Sequence, residues 1–166
     1  MIVRKIKLSD AESYLELCKT LDTETKFMLF EPGERKTTVE KQTQRIKDLL
    51  SEDLSTILVC ESNGKLVGHL AAIREGKRRI VHSAYIVVGI LQDYTGKGIG
   101  TQLFTELENW AAANQVHRLE LTVMCHNEAA VALYKKMGFE IEGVKRHSLI
   151  IDGNYIDEYY MGKLLS

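Results

Sequence analysis

The sequence predicts an α+β fold, with one central mixed, mostly antiparallel sheet flanked by helices in an α/β three-layer arrangement. Three observations lead there. Strand-like and helix-like segments follow the order strand, two helices, three strands, helix, strand, helix, two strands. The three middle strands are joined by short turns, as in an antiparallel meander. The last two strands flank a second hairpin signal, Asp152-Gly153-Asn154.

Each element has its own local reason. Ile2-Val3-Arg4-Lys5-Ile6-Lys7-Leu8 reads as a strand. Ser9-Asp10-Ala11-Glu12 has the form of a capping box, with Ser9 as cap and Glu12 three residues on. Tyr14, Leu15 and Cys18 give the helix that follows an apolar side. Glu31-Pro32-Gly33-Glu34 is a turn holding the only proline. Thr38 to Leu50 has helical spacing, with Val39, Ile46, Leu49 and Leu50 expected inward.

Thr56-Ile57-Leu58-Val59-Cys60 is β-rich, Asn63-Gly64 turns it back, and Leu66 to Ile73 is the return strand. Arg74 to Arg79 reads as a charged, solvated tip before a third strand, Ile80 to Ile90. Ile99, Leu103, Leu107 and Trp110, with Phe104 beside them, then make an amphipathic helix ending near Asn114. Leu119 to Met124 is a strand, and Asn127 to Met137 is a helix stopped by Gly138. Phe139 to Ile151 and Tyr155 to Leu164 are the final strands.

The totals narrow the class. A chain of 166 residues without repeat, linker or low-complexity segment is expected to form a single domain, 1–166, with a full core. The net charge of −1 gives no global basic footprint for nucleic acid. Cys18, Cys60 and Cys125 are odd in number and form no CxxC pair, so neither a disulfide framework nor a zinc ribbon is suggested. No apolar run approaches the roughly 20 residues of a membrane span. Met1 to Leu8 is charged and alternating, unlike a signal peptide. The expectation is a soluble cytoplasmic protein with no nucleic-acid or membrane partner and no metal.

Chemistry concentrates first in Gln92-Asp93-Tyr94-Thr95-Gly96-Lys97-Gly98-Ile99-Gly100. A loop feeding a helix N-terminus has unpaired N–H groups and the positive end of the helix dipole, so it suits an anion. Glycines clear the β-carbons that would keep a phosphate away and permit positive φ. The alternative is a tight turn that binds nothing. The spacing is GxGxG rather than the dinucleotide GxGxxG, although Glu120 lies about twenty residues on. The strands before the loop are hairpin-connected rather than βαβ. The Walker pattern fails because Gly96-Lys97 is followed by Gly98.

The second concentration is His126 to Glu140. Asn127 and Tyr134 are seven apart, two helical turns, and would share a face with the small Ala130 between them. Leu133 and Met137 suit the core. Singly, Tyr134 reads as a core tyrosine and Asn127 as a helix cap.

Together the two stretches closely resemble the GNAT superfamily of N-acetyltransferases, which carries a [Q/R]xxGx[G/A] loop after its fourth strand and an N…A…LYxxxGF helix further on. The matching residues are Thr95-Gly96-Lys97-Gly98-Ile99-Gly100 and Asn127 through Leu133-Tyr134 to Gly138-Phe139. The motif match runs from about Leu66 to Phe139, and the element order extends it over nearly the whole chain. The resemblance implies acetyl-CoA as co-substrate. It implies that backbone N–H groups of Gly96, Lys97, Gly98, Ile99, Gly100 and Thr101 hold the pyrophosphate, that the Ile90 backbone pairs with the pantetheine arm, and that Asn127 bonds the arm's far side past Ala130. Tyr134 would be the general acid at the thioester sulfur, since a phenol of pKa ~10 is protonated at neutral pH. Thr95 departs from the family's Gln or Arg and removes a long side chain from the loop. Lys97 could replace it in part or remain solvated.

An amine acceptor must lose a proton, yet Ile80 to Ile90 carries no carboxylate; its polar members are His82, Ser83 and Tyr85. A base acting through water, or an acceptor that arrives neutral, is the expectation. His82, Glu120 and His126 are further candidates, and Tyr85 a residue that shapes the pocket. Phe27, Phe30, Glu31, Glu34, Tyr155, Asp157, Glu158 and Tyr159 are candidates for the acceptor side, where carboxylates beside aromatics would suit a cationic amine. The function expected is transfer of acetyl to a primary amine, on a small molecule or a protein, by direct attack in a ternary complex. The alternatives are a non-catalytic acyl-CoA-binding regulator and a binder of NAD or ATP. Relatives in this family often dimerise through sheet edges or C-terminal strands, so a homodimer is compatible with the resemblance.

Overall fold

The computed structural model describes residues 1–166. Seven strands form one sheet in the order β1-β2-β3-β4-β5-β7-β6. The strands are β1 Ile2–Lys5, β2 Thr56–Ser62, β3 Lys65–Ile73, β4 Ser83–Ile90, β5 Arg118–Met124, β6 Glu140–Ile151 and β7 Asn154–Leu164. The helices are α1 Ala11–Glu24, α2 Val39–Glu52, α3 Ile99–Ala113 and α4 Glu128–Lys136. No helix is long and apolar enough to cross a membrane. The expected α+β class and element order are those observed.

The turns follow their sequence chemistry. Asn63 and Gly64 sit at φ 51° and 76°, and Asp152 and Gly153 at 51° and 79°. Two consecutive positive φ values make the mirror-image turn whose twist matches that of the strands it joins.

Glycines show which helix covers which face. A β-carbon on Gly89 would meet Leu21 of α1, and one on Gly68 would meet Ile99 of α3. Side chains of paired residues share a face. Hence α1 lies over His69, Val87 and Gly89, while α3 lies over Gly68, Leu70, Val88 and Ile90. Phe104, Leu103 and Leu107 of α3 are fully buried against that second face.

Four local expectations need correction. Ser9 does not cap α1: Leu8–Asp10 is a 3-10 turn, and the Asp10 carboxylate accepts the Lys7 N–H at 2.8 Å while paired with Arg4 at 2.7 Å. The inward row of α2 is Gln42, Ile46 and Leu49, with Val39 and Leu50 exposed, so the stripe is one row away from the apolar count. The third middle strand starts at Ser83, because residues 77–82 close a turn through Ile80 and Val81 N–H bonds to the Lys77 carbonyl. Arg74 is not solvated. It donates to the Leu54 and Val81 carbonyls and lies 5.4 Å from the centre of the Trp110 ring.

Candidate active site

The only parallel pair in the sheet is β4–β5, and its ladder is short. It runs from Ser83↔Arg118 to Tyr85↔Glu120 and stops. Both strands continue: β4 stays paired to β3 out to Ile90↔Gly68, and β5 to β7 out to Met124↔Glu158. Each strand keeps its outer partner and loses its inner one, so the two part into a fork. His82 belongs to the closed end, where its carbonyl accepts the His117 and Arg118 N–H groups at 2.8 and 3.0 Å.

The fork edge carries free backbone groups. The Leu91 N–H donates to the Val67 carbonyl at 2.9 Å, so residue 91 points at β3. Successive residues alternate sides in an antiparallel ladder. The N–H and C=O of Ile90 and Val88 therefore point away from β3, into the opening. Buried or half-buried backbone groups need partners, and an extended ligand lying in the fork would supply them.

The glycine loop stands at the mouth. Thr95 folds back on it, donating from its N–H and Oγ1 to the Gln92 carbonyl at 3.2 and 2.8 Å. The Gln92 N–H donates to the Glu24 carboxylate at 2.9 Å, which ties the loop to the end of α1. Gly96 and Gly98 adopt φ 72° and 81°, and a β-carbon on either would meet nothing within 4 Å. Gly98 caps α3 without any side-chain bond, and the first helical bond is Gln102 N–H to the Gly98 carbonyl at 3.1 Å. The N–H groups of Ile99, Gly100 and Thr101 have no acceptor inside the helix. Free N–H groups at a helix start, with no β-carbons beside them, suit an anion. Gly100 serves a different purpose: its β-carbon would stand 2.9 Å from Leu133 Cδ2. Lys97 is exposed, its ammonium 5.1 Å from the centre of the Tyr94 ring.

Helix α4 supplies the other wall. Asn127 lies just before the helix, with φ −81° and ψ 75°, and its Oδ1 accepts the Ala130 N–H at 3.3 Å. The expected shared helical face of Asn127 and Tyr134 is thus replaced by a cap, because the oxygen satisfies one of the helix's free N–H groups. The amide Nδ2 remains a donor. Ala130 is half-buried. Tyr134 is buried, with Phe104 edge-on at 5.8 Å and Phe139 tilted at 6.1 Å. Burial pushes the Tyr134 phenol above its ordinary value, and nearby Tyr85 adds to the effect. A phenol held protonated over the whole neutral range is suited to giving a proton.

The remaining polar candidates are spread over several elements. Tyr85 Oη lies 2.7 Å from Thr122 Oγ1. Glu120 is paired with Arg118 at 3.1 Å. Phe27 and His126 lie together with rings 5.2 Å apart. Phe30 does not offer its face to a substrate cation, because the Arg35 guanidinium already sits 4.5 Å above it. Glu31 and Glu34 are exposed, and Glu34 accepts the Glu31 N–H at 3.1 Å. Tyr155 stacks on His147 at 4.9 Å. Asp157 accepts the His147 N–H at 2.8 Å, and Glu158 accepts the Ser148 hydroxyl at 2.9 Å. Tyr159 is partly buried against the core.

Two polar residues escape the sequence reading. His69 is buried under α1, its Nδ1 2.9 Å from Tyr14 Oη and its Nε2 without a partner. Thr122 looks like any alternating strand residue. Neither carries a local signal, since each is defined by a partner on another element.

A sheet split at one parallel pair, with a glycine cradle at its mouth and a buried phenol beside it, is the layout of an acyl-transfer fold. The model of the acetyltransferase (GNAT) family matches residues 18–139, and the chain belongs to that family. It is an N-acetyltransferase. It is 34% identical over 111 residues to the L-amino acid N-acetyltransferase AaaT of Escherichia coli (strain K12), covering 64% of this chain and 67% of that one. It is 34% identical over 100 residues to the N-alpha-acetyltransferase RimI of Mycobacterium tuberculosis, covering 60% of each. A GNAT acetyltransferase from Streptococcus pneumoniae superposes with TM-score 0.95 at 31% identity over 99% of both chains. The yncA protein of Salmonella typhimurium, solved with its cofactor acetyl-CoA, shares the fold at TM-score 0.88 and 18% identity, over 100% of this chain and 94% of that one.

Proposed function

We propose that residues 1–166 act as one acetyl-CoA-dependent N-acetyltransferase domain that acetylates a primary amine by direct attack in a ternary complex. The observation that carries this reading is the alignment of three features: the open cradle at Gly96 and Gly98, the unpaired edge of β4, and Tyr134. Relatives named for amino-acid and N-alpha acetylation support an amine acceptor.

Acetyl-CoA suits these residues, because the cradle has no β-carbons in the way and N–H groups at a helix start favour a pyrophosphate. When bound it would supply the acetyl group as a thioester. The N–H groups from Gly96 to Thr101, Lys97 among them, hold the phosphates. Ile90, with Val88 before it, pairs its backbone with the pantetheine amides. Asn127 donates from Nδ2, and Ala130 leaves room beside it. Tyr134 gives its hydroxyl proton to the departing sulfur, from a pocket where Phe104 and Phe139 keep water from the ring. Strengthened hydrogen bonding in such a site is worth more than in water.

Calorimetric titration with acetyl-CoA, with NAD and ATP as controls, followed by thiol release across an amine panel, tests the reading. Micromolar acetyl-CoA binding, no NAD or ATP binding, and amine-dependent thiol release are expected. Binding without turnover on any amine would make the protein an acyl-CoA sensor, and no binding would remove both readings.

A further inference from the structure

The fork holds no uncommitted carboxylate. Ser83–Ile90 carries none. Glu120 stands directly across from Tyr85 in the ladder, but Arg118 Nε holds it at 3.1 Å while the same guanidinium takes Glu142 at 2.9 and 2.6 Å. What spans the opening instead is a pair of hydroxyls. Tyr85 is the last β4 residue in the ladder, Thr122 lies two residues past Glu120 on β5, and their oxygens are 2.7 Å apart. Tyr85 remains 40% exposed, so the pair faces open space. Tyr134 is buried on α4 against Phe104 and Phe139.

We propose that the Tyr85–Thr122 hydroxyl pair positions an acceptor amine that enters the fork already uncharged, and that the protein therefore prefers α-amino groups to lysine-like amines. This rests on the acetyltransferase reading above. An ammonium leaving water needs an anion beside it, and Glu120, the carboxylate at hand, already has its Oε2 bonded to Arg118. A neutral amine needs only hydrogen bonds, and each hydroxyl keeps acceptor capacity after the bond they share.

The protons balance without an external base. The C–N bond forms and the C–S bond breaks; nitrogen loses one proton and sulfur gains one. Tyr134 gives its proton to sulfur, and the nitrogen's proton leaves through the Tyr85 and Thr122 hydroxyls to water, from which the phenolate is reprotonated. The groups facing Tyr85 are Glu120 with its Arg118 on β5, Tyr134 on α4 and, across Thr122, Tyr160 on β7; β3 presents Ile73. Of these only Glu120 is a carboxylate, and its Oε2 is bonded to Arg118. At pH 7 an α-amine of pKa ~8 is neutral roughly 200-fold more often than a lysine amine of pKa ~10.4.

The test compares alaninamide with Nα-acetyl-lysine. The acid limb of kcat/KM should move with the acceptor, by about two pH units. Calorimetry of acceptor binding to the CoA-bound protein, in two buffers of different ionisation heat, should show about one proton released per Nα-acetyl-lysine bound at pH 7. Tyr85→Phe and Thr122→Val should each lower kcat/KM for alaninamide by ~10-fold or more, with the acetyl-CoA Kd within about twofold. The proposal is overturned by a limb at one pH for both acceptors, by binding without proton release, by variants equal to the parent, or by acetyl-CoA affinity falling in parallel. Absence of turnover on every amine would instead sink the acetyltransferase reading, while the proton-release measurement still reads the site.

Discussion

Gly100 and Leu133 touch: a β-carbon on Gly100 would stand 2.9 Å from Leu133 Cδ2. The donor cradle and the tyrosine helix are thereby set at a fixed spacing, since Gly100 is in the first turn of α3 and Leu133 precedes Tyr134 in α4. Gly100→Ala makes the end of the Leu133 side chain shift, and should destabilise by about 1 kcal/mol or less while weakening acetyl-CoA binding. Gly96→Ala has room for its methyl but not the backbone, because φ is 72°; about 1–2 kcal/mol of strain is expected there. Thermal melts and calorimetric titration separate the two. A Gly100→Ala protein that melts and binds like the parent would show that the helices are not locked together.

Tyr134→Phe removes the hydroxyl and keeps the ring packed on Phe104 and Phe139. The expected loss is about 100-fold or more in kcat, with acetyl-CoA affinity and melting temperature nearly unchanged. Thiol-release kinetics beside a binding isotherm are the measurement. Equal activity in the variant would remove Tyr134 from the chemistry.

Burial lowers His69 from its ordinary 6.5 to about 4, with Arg35 adding to the effect. The unfolded chain therefore takes up a proton below pH 6.5 that the folded protein refuses until about 4. More protons on the unfolded state mean that stability rises with pH across that window. Roughly 3 kcal/mol should be lost on acidification from pH 6.5 to 4. Urea unfolding at stepped pH should show this slope in the parent and a flatter one in His69→Leu. The same slope in both would assign the acid sensitivity elsewhere.

Asp22 has 1% of its side chain exposed and is held by Arg35 Nε at 2.8 Å. Arg35→Leu strands that carboxylate and should cost about 3–5 kcal/mol. Adding Asp22→Leu should recover part of the loss, because the stranded charge goes with it. Lys26 and Asp152 are an exposed pair, 74% and 64%, and Lys26→Ala should leave the denaturation midpoint where it was. A midpoint equally insensitive to Arg35→Leu would mean that Asp22 is not buried as a charge.

Much of the fold is written in local chemistry. Asn63-Gly64 and Asp152-Gly153 specify two-residue turns because few other residues tolerate consecutive positive φ. Ile99, Leu103, Leu107 and Trp110 specify a helix through their spacing, and all four are buried. The glycine cradle is visible for the same reason: a backbone freed of β-carbons at a helix start is a property of adjacent residues. The missing carboxylate on β4 is equally plain in the chain.

Other features depend on what two distant segments do to each other. The β4–β5 ladder ends at Tyr85↔Glu120, and no residue in either strand announces it. Arg74 reads as solvated until Trp110 and the Leu54 carbonyl come to it. Asn127 reads as sharing a helical face with Tyr134 until the helix start takes its oxygen as a cap. Gly100 shows its free N–H in the sequence, but not that Leu133 fills the space beside its α-carbon. The Tyr85–Thr122 contact joins residues that are ordinary in their own strands. Backbone preference acts over a few neighbours, so it sets elements and turns. Hydrogen bonds and packing act over a few ångströms between residues far apart in the chain, so the site's geometry exists only once the sheet has formed.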